Sequence, residues 1–366
     1  MTGSPPTSSP DRATPPKSPP GTASGSTPAS PGASAPGPAP LTGTGHLEVD
    51  PDLVGHEAGD DADSTMSSRA GLSDTTSVMS SIFKFREENG RTYHTYRAEG
   101  QEIGLHPRGL RSNRPLDLQH YMCVQMQDNR LYVSPAGKGN PLNRVLDLGT
   151  GTGIWAIDLA DEHPETSVAG VDLSPIQPDC IPPNLEFFID DVERDWNYHT
   201  KFDLVYGRML TGSIRDWPRL MAQAFENINP GGYLELCDSL NPLQSDDGSL
   251  KEDSAILKWN RLLVEASDKL GPSLKSALHY KQQMTDAGFE DVTQIEFKWP
   301  LNPWPRDAKY KELGEWNYFN VLQGIQAVSL MLFTNVLGWT VAEVEVLLTQ
   351  VRKEAKNRDI HAYWPV

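Results

Sequence analysis

The sequence contains only three cysteines, Cys123, Cys180 and Cys237, and none of them belongs to a C-x-x-C pair. Isolated cysteines of this kind form neither the paired framework of a small secreted domain nor the ligand set of a structural zinc site. The first residues, MTGSPPTSSP, also lack the charged and apolar regions of a secretory signal. We therefore expect a reduced protein of the cytoplasm or nucleus that holds no metal ion. No clear basic cluster decides between the two compartments.

Positive charge and long apolar runs are also scarce. Lysine and arginine number 32 against 49 aspartates and glutamates, which gives a formal net charge of −17. Nucleic acids and anionic membranes attract cationic surfaces, so this charge predicts no direct binding to either. The most apolar stretch, VSLMLF at 328–333, is too short to cross a bilayer. At 366 residues the chain is long enough for a full hydrophobic core and an appendage.

The N-terminal part of the chain is poor in apolar residues. Twelve of the first 40 residues are proline, and most of the others are serine, threonine, glycine or alanine. Such a segment buries too little apolar surface to offset the entropy of ordering it, so we predict a disordered Pro/Ser-rich tail over residues 1–80. Residues 81–140 mix aromatic and charged residues without a strand period, and there we expect a helical N-terminal cap of short helices and loops.

From residue 141 onward, strand and helix patterns alternate. Five predicted strands precede residue 239 and a sixth follows later, and they read RVLDLG, SVAGVDL, LEFFID, FDLVYG, YLELCD and VTQIEFKWPL. Alternation of this kind predicts a parallel sheet with helices on both faces. We therefore expect residues 141–366 to form a doubly wound α/β domain with helical insertions after strands five and six.

A glycine-rich stretch, VLDLGTGTGIW at 145–155, is typical of a strand that runs through a loop into a helix. Its glycines follow the pattern G-x-G-x-G, whereas a dinucleotide fingerprint needs a small residue where Ile154 stands. A phosphate-binding P-loop needs a lysine, and none follows. Asp147 lies two residues before the first glycine, and an acid there suits a positively charged ligand better than a phosphate.

Acidic residues also end the next two predicted strands. Asp172, 23 positions after Gly149, fits the acid that accepts hydrogen bonds from ribose hydroxyls. Asp190 and Asp191 end strand three, and we expect only one of them to contact the ligand, beside the backbone N–H of Val192. An adenosine ligand without a pyrophosphate loop, surrounded by carboxylates, indicates S-adenosylmethionine, whose sulfonium and ammonium groups are cationic.

Several motifs make a family resemblance visible. DLGTGTG, the acid after strand two and the NPGG turn resemble the class I S-adenosylmethionine-dependent methyltransferase fold. More narrowly, the chain from about residue 80 onward resembles the fungal LaeA-like methyltransferases in ENGRTYHTYR, LDLQHYM, VLDLGTGTGIWAIDLADEHPETSVAGVDLSPIQP, RMLTGSIRDWPRLMAQAFENINPGGYLEL and IHAYWP. The resemblance implies a Rossmann-like sheet of order 3-2-1-4-5-7-6 with strand seven antiparallel.

The candidate cofactor residues combine the motif reading with the resemblance. The first set surrounds the glycine loop and the two acidic strand ends: Asp147, Gly149, Thr150, Gly151, Gly153, Asp172, Leu173, Asp190, Asp191 and Val192. The resemblance further implies that Arg208 and Met209 cover the methionine end, and that Tyr93, His94 and Tyr96 fold over the pocket as a lid. From the residues alone, Tyr93 and Tyr96 fit equally well as core aromatics. The aromatic group Trp299, Trp304, Trp316, Tyr318 and Phe319 fits either an acceptor pocket or the packing of the C-terminal helices.

The acceptor and the catalytic base are left open by the sequence. A hydroxyl acceptor needs a base, for which His94, His120, Tyr96 and Tyr121 are candidates, but none has a fixed partner spacing. Two functions follow: a methyltransferase acting on a small fungal metabolite or a protein, or an S-adenosylmethionine-binding regulator that acts through a protein. The resemblance implies a link to secondary metabolism and, for some family members, velvet-type partners. Since the family's last strand continues past H-A-Y-x-P, either IHAYWPV supplies a short strand or that strand is incomplete here.

Overall fold

A parallel five-stranded sheet forms the centre of the protein. The computed structural model describes residues 43–51, the backbone of 85–88 and 91–94, and residues 114–366, with side chains from residue 117. Its strands are β1 (Phe85–Glu88), β2 (Arg91–His94), β3 (Arg144–Leu148), β4 (Ser167–Asp172), β5 (Leu185–Ile189), β6 (Phe202–Arg208), β7 (Ile228–Cys237), β8 (Lys298–Pro300) and β9 (Tyr363–Pro365). The central sheet has the order β5-β4-β3-β6-β7, and every neighbouring pair in it is parallel. Counted from β3, this is the predicted order 3-2-1-4-5.

Helices cover both faces of this sheet. The α-helices of the described residues are α1 (Arg114–Met126), α2 (Ile154–Glu162), α3 (Trp217–Asn227), α4 (Ala255–Leu270), α5 (Tyr280–Ala287), α6 (Ala308–Asn335) and α7 (Val341–Lys356), of which α2 packs on one face and α3 on the other. Because successive strand side chains point to opposite faces, Val145 packs in the cluster around α2 and Leu146 in the cluster around α3. In the first cluster the rings of Trp155 and Tyr206 stack with centroids 3.9 Å apart. The doubly wound α/β prediction is confirmed.

Side-chain caps fix the starts of two helices. The Asp216 side chain accepts a hydrogen bond from the backbone N–H of Arg219 at 3.0 Å, which caps α3. At α7, Thr340 and Glu343 form the reciprocal capping box expected from their spacing. Side-chain caps satisfy backbone N–H groups that have no partner inside the helix, so these short polar residues decide where each helix begins.

The segment before α1 differs from the short helices expected there. β1 and β2 pair as an antiparallel hairpin in which Glu88 lies opposite Arg91. The two residues between these positions in the sequence are Asn89 and Gly90, a dipeptide that favours two-residue hairpin turns. The helical expectation for this part of residues 81–140 was therefore wrong, because the turn dipeptide outweighs the missing strand period.

β8 and β9 form a second, antiparallel sheet of two strands. β9 also exchanges backbone hydrogen bonds with the segment after β7: Tyr363 and Gln244 each donate to the other's carbonyl at 2.9 Å. The residues IHAYWPV thus supply a short strand that lies between β8 and residues 240–244. This is the neighbourhood expected for strand seven, but the pair does not extend the five-stranded sheet, and strand six is only three residues long.

The C-terminal helices share a hydrophobic core with α1. Trp299, Trp304 and Trp316 are all buried, the last with no exposed surface. Gln125 of α1 donates to Glu312 of α6 at 2.6 Å, which links the two helices. The buried tryptophans therefore support the packing interpretation of this aromatic group rather than the acceptor pocket. None of the helices in the described ranges is long and apolar enough to cross a membrane.

Residues 43–51 are an extended segment docked on the β8–β9 region, which corrects the prediction that all of residues 1–80 are disordered. The Thr44 N–H donates to the Glu296 carbonyl at 2.8 Å, and the Asp50 N–H donates to the Trp304 carbonyl at 3.0 Å. Leu47 is 7% exposed and packs in a cluster with Trp304 and Tyr363. The composition average over the tail concealed this one apolar patch in GHLEVD.

Substituting Leu47 by alanine tests whether this docked segment stabilises the domain. Removing a buried leucine side chain deletes apolar contacts and leaves a cavity, so we expect a loss of about 2 kcal/mol in the free energy of unfolding. Thermal or urea unfolding measures the change. The control is His46→Ala in the same segment, whose side chain is 72% exposed, and it is expected to shift stability by less than about 0.5 kcal/mol. Equal stability of Leu47→Ala and the unmodified protein would contradict docking.

Candidate functional site

The glycine loop lies between β3 and α2, at the carboxyl edge of the sheet. Gly149, Gly151 and Gly153 have φ angles of 62°, 57° and 78°, in the left-handed region that favours glycine. A Cβ on Gly149 would lie 2.5 Å from Cδ2 of Leu210, so a side chain there would have to displace the end of Leu210. The N–H of Thr150 donates to the carbonyl of Val171 at 2.9 Å and ties the loop to β4. The loop thus presents bare backbone at the point where β3 ends.

Phe187 of β5 explains why two more positions need glycine. Its ring packs directly against Gly153, where a Cβ would overlap it, and 2.7 Å from the place of a Cβ on Gly170. The ring therefore supports the start of α2 from the neighbouring strand. This close packing of helix against sheet is the structural role of the third glycine in G-x-G-x-G.

Asp147 is a buried acid next to this loop. Its carboxylate accepts a hydrogen bond from the Thr150 hydroxyl at 2.5 Å, and its side chain is almost fully covered. Burial raises the pKa of Asp147 to about 7, although the Thr150 hydroxyl and the positive charge of Arg208 oppose the shift. A carboxyl group in this state gains its negative charge most easily when a cation binds beside it.

Asp172 organises the glycine loop from the end of β4. One carboxylate oxygen accepts from the Gly151 N–H at 2.8 Å and the other accepts from the Ser174 N–H at 2.9 Å. Each oxygen keeps a second lone pair, so the carboxylate can still accept hydrogen bonds from ligand hydroxyls. The next side chain, Leu173, is 70% exposed and offers apolar surface for an adenine ring. Gln177, which the sequence did not single out, donates to the Gly151 carbonyl at 2.7 Å.

The second acidic strand end lies beside the first. The N–H of Asp190 donates to the Asp172 carbonyl at 3.1 Å, so the two segments are adjacent. Asp190 accepts from the N–H of Asp191 at 2.7 Å, and Asp191 accepts from the N–H of Glu193 at 3.0 Å. Val192 is half-buried in the core cluster on the α3 side. Which of the two acids contacts a ligand stays a prediction.

Arg208 is the last residue of β6, and Met209 follows it directly. Met209 has a φ of 56°, a conformation that few non-glycine residues adopt, and its N–H donates to the Cys237 carbonyl at 3.0 Å. The guanidinium of Arg208 contacts Nδ1 of His120 at 3.2 Å. Nε2 of His120 lies 2.8 Å from a carboxylate oxygen of Asp158. His120, a candidate base, is thus buried between two charged partners.

The side chains of the lid residues expected from the resemblance lie outside the described part of the structure. Tyr93 and His94 belong to β2, whose backbone alone is described, and Tyr96 lies outside the described residues. Tyr121 packs its ring edge-to-face against His120, with centroids 5.2 Å apart. The lid interpretation and the roles of His94 and Tyr96 stay predictions.

Asp238 is a buried acid that sequence reasoning missed. It follows β7 directly and accepts hydrogen bonds from the Tyr280 hydroxyl at 2.6 Å and from the Thr211 N–H at 2.9 Å. Burial raises the pKa of Asp238 to about 6. These contacts tie the loop after β6 to the end of β7 and to α5. The available signal was its place at the end of a predicted strand, as for Asp172.

These residues fit S-adenosylmethionine in charge and hydrogen-bonding chemistry. Asp172 and Leu173 suit the ribose and adenine, and the glycines let the chain approach closely. Asp147 and Arg208 lie at the ends of neighbouring strands with opposite charges that act on each other. Such a pair suits the ammonium and carboxylate of an amino-acid group. When bound, the cofactor supplies a methyl group activated by the sulfonium, while these residues bind and orient it.

Known proteins of similar sequence identify the family of this chain. A family model described as a methyltransferase domain matches residues 118–294. The chain is 40% identical over 292 residues to methyltransferase pytC of Aspergillus terreus, covering 79% of this chain and 88% of that protein. It is 34% identical to protein-methionine methyltransferase laeA of Emericella nidulans (76% and 74% covered), and 33% identical to secondary metabolism regulator laeA of Aspergillus fumigatus (80% and 78% covered).

The raised pKa of Asp147 predicts a pH-dependent affinity for S-adenosylmethionine. Because the free carboxyl group has a pKa of about 7, it is mostly protonated at pH 6 and mostly ionised at pH 7.5. A cationic ligand favours the ionised form, so we expect the affinity to rise about fivefold over this range. Calorimetric titration at the two pH values measures it. Asp147→Asn should bind more weakly at both and lose this rise; an unchanged slope in that variant would contradict the assignment.

Proposed function

The chain belongs to the fungal LaeA-like family of S-adenosylmethionine-dependent methyltransferases, and we propose that its acceptor atom has no proton to lose on methylation, as is true of the thioether sulfur of a protein methionine. The observation that supports this is the state of the buried His120 beside Arg208. The printed name of the Emericella nidulans relative, a protein-methionine methyltransferase, favours the same acceptor class.

The proton balance of the reaction links this observation to the acceptor. A hydroxyl must lose a proton as it is methylated and therefore needs a base, whereas a thioether sulfur has no proton to lose. Nδ1 of His120 accepts from Arg208, and the oxygens of Asp238 accept from Tyr280 and Thr211. His120 and Asp238, two buried candidates for a base within residues 117–366, therefore already have other hydrogen-bond partners. A thioether acceptor needs no base, so neither group has to give up these hydrogen bonds.

The transfer itself needs alignment above all. When bound, S-adenosylmethionine would supply a methyl group whose transfer to a thioether sulfur would leave S-adenosylhomocysteine and a sulfonium on the acceptor, with no proton to be removed. Residues that fix the cofactor in line with the acceptor then supply catalysis through proximity and orientation. The role of Asp172 and Gln177 is to hold the glycine loop in the required form.

A small-molecule acceptor is the second candidate, favoured by the higher identity to the methyltransferase pytC. We further propose a role in fungal secondary metabolism, supported by the printed name of the Aspergillus fumigatus relative, a secondary metabolism regulator. The cytoplasm or nucleus is the proposed location. A velvet-type protein is the proposed partner for a regulatory role, on the family resemblance alone.

Methyl transfer from labelled S-adenosylmethionine tests the acceptor. The protein is incubated with fungal protein and small-molecule fractions separately, and products are identified by mass spectrometry. We expect label on methionine sulfur in the protein fraction, and its loss in Asp172→Asn. The control is Asp195→Asn, an acid outside the candidate cofactor residues whose side chain is 86% exposed and pairs with Arg219.

Three other outcomes would contradict the proposal. Label found only in small molecules would favour the second candidate. Label on hydroxyl oxygen would contradict an acceptor that has no proton to lose. Tight binding of S-adenosylmethionine without any label transfer, together with a stable protein complex, would favour the non-catalytic regulator.

A further inference from the structure

We propose that His120 and Asp158 are positioning residues that hold the guanidinium of Arg208 toward the amino-acid carboxylate of the bound cofactor. This inference rests on the cofactor assigned above and is independent of the acceptor. It gives a role to a buried histidine that the sequence offered only as a candidate base.

Hydrogen-bond chemistry fixes the state of the His120 ring. A guanidinium carries only donors, so Nδ1 of His120, 3.2 Å from Nη2 of Arg208, must accept. The proton of the neutral ring is then on Nε2, which donates to the Asp158 carboxylate at 2.8 Å. The ring has no exposed surface, so burial and the two partners together hold it in one orientation.

The three residues come from three different elements. His120 lies on α1, Asp158 on α2 and Arg208 at the end of β6. α1 is fastened near the same edge by a second contact, from the Thr152 hydroxyl to the Asp117 carboxylate at 3.1 Å. The orientation of the guanidinium is thus set by how α1 and α2 pack, not by the flexible arginine side chain alone.

The position of Arg208 indicates which part of the ligand it meets. β6 pairs with β3, and the charge of Arg208 acts on Asp147 near the end of that strand. The cofactor's amino-acid group carries one ammonium and one carboxylate, which match Asp147 and Arg208 respectively. One donor of the guanidinium is used by His120, and a guanidinium has five. Cys123 is a second side-chain hydrogen-bond partner of the guanidinium. The donors that are left suit a carboxylate, for which the planar fork of the guanidinium is complementary.

Two substitutions at His120 separate the two contacts. The carboxamide oxygen of asparagine reaches about as far as Nδ1, so His120→Asn can keep an acceptor for Arg208. Glutamine reaches about as far as Nε2, so His120→Gln can keep the donor to Asp158 but leaves Arg208 without its acceptor. If cofactor binding depends on the acceptor for Arg208, the glutamine variant binds S-adenosylhomocysteine more weakly than the asparagine variant does.

Two ligands separate positioning from a general structural effect. S-adenosylhomocysteine carries the amino-acid carboxylate, and 5′-methylthioadenosine lacks the whole amino-acid group. We expect His120→Gln to weaken S-adenosylhomocysteine binding about tenfold, the size of a lost hydrogen bond to a charged group, and to change 5′-methylthioadenosine binding by less than about twofold. Arg208→Gln should show the same selective loss, and combining the two substitutions should add little.

Two further variants separate the positioning role from a general effect on α1. Gln125→Ala removes a contact of the same helix with Glu312 and should leave the affinity ratio of the two ligands unchanged. If His120→Gln does not fold, Asp158→Ala, which removes the acceptor for Nε2 of the ring, should lower the affinity for S-adenosylhomocysteine relative to that for 5′-methylthioadenosine.

Equal weakening of both ligands by His120→Gln, or no weakening of either, would overturn the positioning role. Failure of the proposed acceptor would appear differently, as a normal affinity ratio without label on methionine. An unmodified protein that binds neither ligand would overturn the cofactor assignment, and the positioning role with it.

Discussion

The site depends on keeping two opposite charges at the ends of neighbouring parallel strands in a largely buried place. Asp147 near the end of β3 and Arg208 at the end of β6 each lose hydration, which is costly unless partners replace the water. The Thr150 hydroxyl donates to Asp147, and His120, held by Asp158, accepts from Arg208. The remaining mismatch is seen in the raised pKa of Asp147, which a bound cation would relieve.

The fold supplies this arrangement through its topology. In a parallel sheet the carboxyl ends of all strands lie at one edge, and the chain reverses its winding between β3 and β6. Loops from both halves of the sheet therefore meet there. Glycines with left-handed φ let the first loop turn without side chains, and Asp172 fastens it from β4. Binding and orientation of a methyl donor follow from the same geometry that closes the core.

Much of this arrangement could be predicted from the sequence because it is encoded locally. The alternating strand and helix patterns predicted the parallel α/β class, and the family resemblance implied the strand order found in the central sheet. The spacing from Gly149 to Asp172 identified the loop and the acid beside it. Side-chain caps at Asp216 and Thr340 were equally visible, since each acts within three residues. Such features need no knowledge of distant parts of the chain.

The features that could not be predicted are those created by contacts distant in sequence. His120 meets Arg208 across 88 positions, and Thr44 meets Tyr310 across 266. No spacing rule connects such pairs, so His120 looked like one of several bases and residues 43–51 looked like part of a uniform tail. The β1–β2 hairpin is a different case, because its Asn-Gly turn was present in the sequence and was overlooked.

We propose that the glycine loop and Asp172 form a site for S-adenosylmethionine. The most direct measurement is a calorimetric titration of S-adenosylmethionine, with NADH as the comparison ligand, into the unmodified protein and Asp172→Ala. We expect binding of S-adenosylmethionine but not NADH, and a loss of at least about tenfold in the affinity of the variant, since a carboxylate hydrogen bond to ligand and loop is removed. A folded protein that binds neither ligand, or an Asp172→Ala variant that binds S-adenosylmethionine as well as the unmodified protein, would contradict it.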